Sequence, residues 1–113
     1  MERSGAAIFV AAAMATILSF TPTLAATKGD IDALTSYAVF LGRGVACGVN
    51  IKPEMQRVGV WMDRRFPPGS EDQQTFLPIF IQGVQHHAQL QKDGNSPDTC
   101  SKVREQYERV PWP

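Results

Sequence analysis

The stretch WMDRRFPPG, Trp61 to Gly69, decides how the chain is read, because it gathers two aromatics, two adjacent arginines, an acid and a double proline. Upstream of it, Met55, Val58, Met62 and Phe66 recur at steps of three and four, the period of one helical face, with Trp61 beside them. Pro53 suits the first turn of that helix, and Pro67-Pro68 forces its stop. Arg64 and Arg65 fall in the last turn, where cations meet the exposed carbonyls and the negative end of the helix dipole. The stretch is therefore a helix C-terminus followed by a turn, and its two arginines are candidates for contact with an anionic partner.

Downstream, Ser70-Glu71-Asp72-Gln73 has the pattern of a capping box with two acids in the first turn. The helix it opens runs towards Lys92, with Phe76, Phe80, Val84 and His87 on one face and Leu77, Ile81 and Ala88 adjoining. Pro78 either kinks this helix or separates a short turn from it. On the other side, an earlier helix starts at Asp30 as N-cap and carries Ile31, Leu34, Ala38, Leu41 and Val45 towards Gly48. Gly42 and Gly44 weaken it, so either another helix approaches closely there or the last turns are irregular. The last helix opens at Ser96-Pro97-Asp98, with Ser96 as N-cap, and places Cys100, Val103, Tyr107 and Val110 on one stripe before Pro111. Trp112 is left in a tail expected to fold back over apolar surface. No segment alternates with period two, so the expected fold is all-α: a small four-helix domain stapled by one disulfide, after a cleaved signal peptide.

That leader is residues 1–25: a basic residue near the start, an apolar run from Ala6 to Phe20, and small residues at Leu-Ala-Ala, with cleavage expected between Ala25 and Ala26. The run is shorter than the ~20 residues of a membrane span. An uncleaved anchor is the alternative, since Glu2 offsets Arg3. Residues 26–113 then form one domain, small enough to need a staple if exported. Cys47 and Cys100 supply one, because an even cysteine pair in an oxidising compartment reads as a disulfide. Closing a loop of that length restricts the unfolded chain by about 4 kcal/mol in the chain-entropy treatment. A reactive thiol pair would more naturally show the Cys-x-x-Cys spacing, which is absent.

Lys plus Arg and Asp plus Glu each number 11, so no net field draws nucleic acid or anionic lipid. His86-His87 is the most tempting site, but neighbours on a helix point about 100° apart and do not chelate one metal as an i, i+4 pair does. They are read as a half-buried His87 beside an exposed His86, able to give a modest pH response. Ser36 and Ser101 lie in no nucleophile-elbow sequence, Ser70 and Ser96 read as caps, and the glycines form no phosphate loop. A catalytic Cys47 with His87 would require the disulfide to be absent. No cofactor and no metal are expected, and the chain reads as a non-enzymatic binder. Arg64, Arg65 and Trp112 are its candidate partner contacts.

The segments GRGVACGV (Gly42–Val49), VGVWMDRRFPPGS (Val58–Ser70) and SPDTCSKVREQY (Ser96–Tyr107) make the chain resemble small two-cysteine, all-helical exported proteins of bacteria, a group with no established activity. In architecture alone it is also similar to the periplasmic acid-stress chaperones, tiny helical proteins with one disulfide closing a long loop. It departs from them in the glycine-rich end of its first cysteine segment and in lacking a lysine- and acid-rich tail. The resemblance carries no activity; the chain is expected to be a monomer, periplasmic or secreted, that binds an envelope protein or small ligand. An acid-responsive chaperone, or a small enzyme or metal protein using His86 and His87, are the alternatives. Intact-mass measurement of the exported protein is expected to show a chain beginning at Ala26 and two hydrogens lighter than its dithiol form. Free thiols on an unprocessed chain would contradict both readings.

Overall fold

The computed structural model describes residues 26–113; the proposed leader and most of its cleavage site lie outside them. Four helices follow one another: α1 Lys28–Ala46, α2 Lys52–Arg65, α3 Glu71–Lys92 and α4 Cys100–Arg109, and the described residues contain no strand. The fold is thus the all-α, four-helix domain expected.

Two helix starts differ from the sequence reading. α1 begins earlier, at Thr27, whose hydroxyl accepts the Asp30 amide at 3.1 Å while the Asp30 carboxylate accepts the Thr27 amide at 3.1 Å. Asp30 is thus the return partner of a capping box and not the cap. At α4 the cap is Thr99, whose hydroxyl faces the Lys102 amide at 3.4 Å, and Ser96-Pro97-Asp98 remains in the preceding loop. A Thr one residue before the buried stripe satisfies the free amides of the first turn, which Ser96 is too far upstream to reach. Ser70 does cap α3, bonding the Gln73 amide at 3.1 Å. Gln73 does not close the box on Ser70; its side chain accepts the Gly69 amide at 3.4 Å and donates to Asp63 at 3.1 Å, clipping the turn to the end of α2. α3 runs unbroken through Pro78, which is exposed, as is Gln74, whose carbonyl loses its i+4 donor to the ring.

WMDRRFPPG takes the expected form. Met62 and Phe66 are buried, and the Phe66 amide closes the last turn of α2 on the Met62 carbonyl at 2.6 Å. Gly69, at φ +83°, then turns the chain into α3 in a backbone conformation that costs glycine little.

α1 is the hub, packing most extensively on α3 and also on α4 and α2, while α2 and α3 approach each other far less. Its glycines explain how. Gly42 lies on the backbone of α3: a Cβ there would run into the Val84 carbonyl oxygen and come 2.9 Å from the Ala88 amide nitrogen. One turn earlier, Ala38 faces Gly83. Gly44 points elsewhere, and a Cβ on it would come 2.9 Å from the Tyr107 ring of α4 and 3.3 Å from Ile51. Two residues apart on a helix is about 200°, so the two glycines admit two different neighbours. The close approach of another helix, one of the two readings of these glycines, is what occurs.

Around this contact the core gathers Leu34, Leu41, Val58, Met62, Phe66 and Phe80. Val45 does not belong to it, at 47% exposure, because α1 turns its final apolar position away from its neighbours. Aromatic contacts connect the elements. Tyr37 of α1 meets Trp61 of α2 edge-on at 5.2 Å, and Phe66 meets Phe76 of α3 at 5.5 Å. The disulfide joins the C-cap of α1 to the first residue of α4, Cα to Cα 5.2 Å, closing a span of 53 residues.

Gly42→Ala is expected to destabilise the domain by about 2 kcal/mol, the cost of prising two backbones apart outweighing the better helix propensity of alanine. Gly59→Ala, where nothing lies within 4 Å, is expected to stabilise it by about 0.5–1 kcal/mol. Urea-unfolding midpoints that move in opposite directions would establish the contrast.

Candidate functional site

Because α2 and α3 leave the turn 66–70 without packing closely along their lengths, a groove of about 830 Å³ opens between them. Buried Met62 and Phe80 form its floor. Its walls carry Met55, Val60, Leu77, Ile81 and Val84, and its polar groups are Asp63 and the amides of Gln56, Gln73 and Gln85. Gly59 widens it by contributing no side chain. Val60 and Ile81 stand 61% and 47% exposed, so water covers apolar surface that four helices fail to bury. The amphipathic pattern of α3 placed Leu77 and Ile81 beside the core stripe, but Val60 gave no sign in sequence of joining them across a trough.

The residues singled out in the sequence lie elsewhere, and they do not converge. Arg65 is exposed and pairs with Asp30 of α1 at 3.4 Å, which ties the end of α2 to the start of α1. Arg64 is exposed and borders a shallower hollow with Arg57 and Pro113. Trp112 folds back as expected: its ring stacks on Tyr37 at 5.6 Å and meets Tyr107 at 5.0 Å, and its indole N–H donates to the Tyr107 carbonyl at 3.1 Å. Arg57 straps the tail down, donating to the carbonyls of Pro113 at 2.9 Å and Trp112 at 3.2 Å. Tyr107 in turn donates its hydroxyl to Glu54 at 2.7 Å. Burial and the Glu54 carboxylate push the phenol pKa well up, so it stays a protonated donor.

His86 is exposed and His87 half-buried at the α1–α3 seam, their ring centroids 5.2 Å apart and nearly perpendicular. Among the described residues no three His, Cys, Asp or Glu side chains gather into a metal-binding group. No described helix is long and apolar enough to cross a membrane. The chain matches no protein-family model, no curated protein and no solved structure.

Burial holds the His87 pKa below 6.5, and the neighbouring His86 and Arg43 charges add to the effect. A histidine whose folded pKa is depressed binds fewer protons than the unfolded chain just below 6.5, so stability falls as pH drops through that window and levels off below the folded value. His87→Gln is expected to flatten the decline as pH falls below 6.5, and His86→Gln to reduce it by removing one repelling charge. Urea midpoints measured across that range check both; an unchanged slope in His87→Gln would assign the decline to other groups.

Proposed function

We propose that the chain is an exported, non-enzymatic binding protein of the cell envelope whose α2–α3 groove receives the apolar face of an amphipathic helix from another polypeptide. The observation that carries this reading is the groove itself, an open apolar trough between two helices with exposed Val60 and Ile81 on its walls. A trough of this shape suits a helix laid along it, with apolar anchors at i, i+3, i+4 and i+7. Met55 and Met62 add flexible thioether side chains that adapt to different anchors. Gln56 and Gln85 offer hydrogen bonds to the polar edge of such a helix, Gln73 and Asp63 being engaged with each other. Its position matters too, because neither the histidines nor the disulfide enters the groove, so binding there asks no chemistry of them.

Support for the envelope as its location comes from two features. The leader-like sequence of residues 1–25 ends in a small-residue cleavage pattern. The Cys47–Cys100 disulfide closes most of the domain into one loop, and such bonds persist in oxidising compartments. The even balance of acids and bases fits recognition through apolar surface and not through charge.

A fluorescein-labelled amphipathic peptide of leucines and glutamines tests the groove. The oxidised protein is expected to raise its fluorescence anisotropy at micromolar concentration, and the double variant Val60→Asp/Ile81→Asp to weaken binding at least about tenfold, a charge at each wall opposing apolar burial. Both positions are exposed, so the far-UV circular dichroism of the variant should match the parent. Equal binding by parent and variant would place the apolar contact elsewhere, and no binding by either would refute the reading.

A further inference from the structure

The backbone nitrogen of Ala26 donates to the Asp72 carboxylate at 2.8 Å, in a half-buried contact between residues 46 apart in the chain. Ala26 itself packs against the core cluster. Asp72 is the second residue of α3, and its carboxylate could have met the free amides of its own first turn, as acids there commonly do. Its Oδ2 accepts the Ala26 nitrogen. The leader sequence independently puts the scissile bond between Ala25 and Ala26, so this nitrogen is the atom that processing would release.

We propose that Asp72 receives the amino terminus that cleavage of the Ala25–Ala26 bond would release. The inference rests on the export reading above. Hydrolysis by a processing peptidase adds the hydroxyl of water to the Ala25 carbonyl and a proton to the Ala26 nitrogen. That nitrogen, now an amine, takes a second proton from solvent at neutral pH. An uncharged amide donor becomes an ammonium with three hydrogens, without moving from its carboxylate partner. A neutral hydrogen bond between the start of α1 and the start of α3 thereby becomes a charge-assisted one, shorter and about twice as strong. The positive end of α1 works against the ammonium, as does Lys28, which lies 3.5 Å from Asp32. Asp30 works for it, though its carboxylate also serves the Thr27 amide and Arg65. Glu71 is the other acid in the first turn of α3. Asp72 is the carboxylate in direct contact, and its removal is therefore the decisive change.

The test uses the full chain, expressed with its own leader, labelled with 13C-methyl alanine and recovered after export. Intact mass fixes the first residue, and the Ala26 methyl resonance reports the charge on its own amine. The expected result is a chain beginning at Ala26 whose amine titrates about one unit above the ordinary range of about 7.7–8.0, returning to that range in Asp72→Asn. One unit corresponds to about a tenfold change in the protonation equilibrium. Asp72→Ser, which also suits a helix start, serves if Asp72→Asn does not fold. A chain beginning at Ala26 with an ordinary midpoint, the same with and without Asp72, would overturn the pairing while leaving export intact. A chain beginning at any other residue would overturn the processing site.

Discussion

The contact of Gly42 with the backbone of α3 governs the rest of the domain. With no side chain between them, α1 and α3 come close enough for Ala38 to reach Gly83 and for His87 to be half-buried at the seam. Two helices in such contact leave α1 one other side for partners, and Gly44 opens that side to Tyr107 of α4. α2 is then held by Val58, Met62 and Phe66 in the core, by Trp61 on Tyr37 and by the strapped C-terminal tail. It cannot also close against α3, because α3 has spent its closest face on α1. The groove follows from that geometry.

Stability and site are thus linked through one arrangement. A small domain buries a limited fraction of its apolar surface, and here the shortfall is concentrated along α2 and α3 instead of scattered. The disulfide offsets the shortfall by restricting the unfolded chain, with a contribution of about 4 kcal/mol that is a large share of the 5–15 kcal/mol typical of whole domains. It joins the end of α1 to the start of α4, so α2 and α3 lie within the loop it closes, while neither cysteine lines the groove. α2 thus packs on α1 through Val58 and Met62 while leaving Val60 open to water beside α3.

The tail has a similar double character. Trp112 was attractive as a contact residue because a tryptophan near a chain end, after a helix-stopping proline, has no obvious place in a core. Its indole instead completes an aromatic chain from α1 to α4, with its polar edge satisfied by the Tyr107 carbonyl. Arg65 likewise serves the fold through Asp30. Trp112 and Arg65 are thus engaged within the domain, and the large apolar side chains left exposed are valine, leucine and isoleucine.

Local rules determined what the sequence could determine. Apolar residues at steps of three and four mark four helices, Pro67-Pro68-Gly69 ends one of them, and Ser70 starts the next, because each depends on neighbours within a turn. The cysteine pair was legible from count alone, as the two thiols of one short chain. Helix starts were less so: Thr27 and Thr99 cap where Asp30 and Ser96 were expected, since several polar residues in a row compete and only the final helix phase selects among them. Tertiary structure alone decided which neighbour each glycine admits, that Val45 faces water, that Asp72 meets Ala26, and that Val60 and Ile81 flank one groove. Each of those depends on residues far apart in the chain being brought together by packing, and periodicity within a helix carries no information about which other helix lies against it.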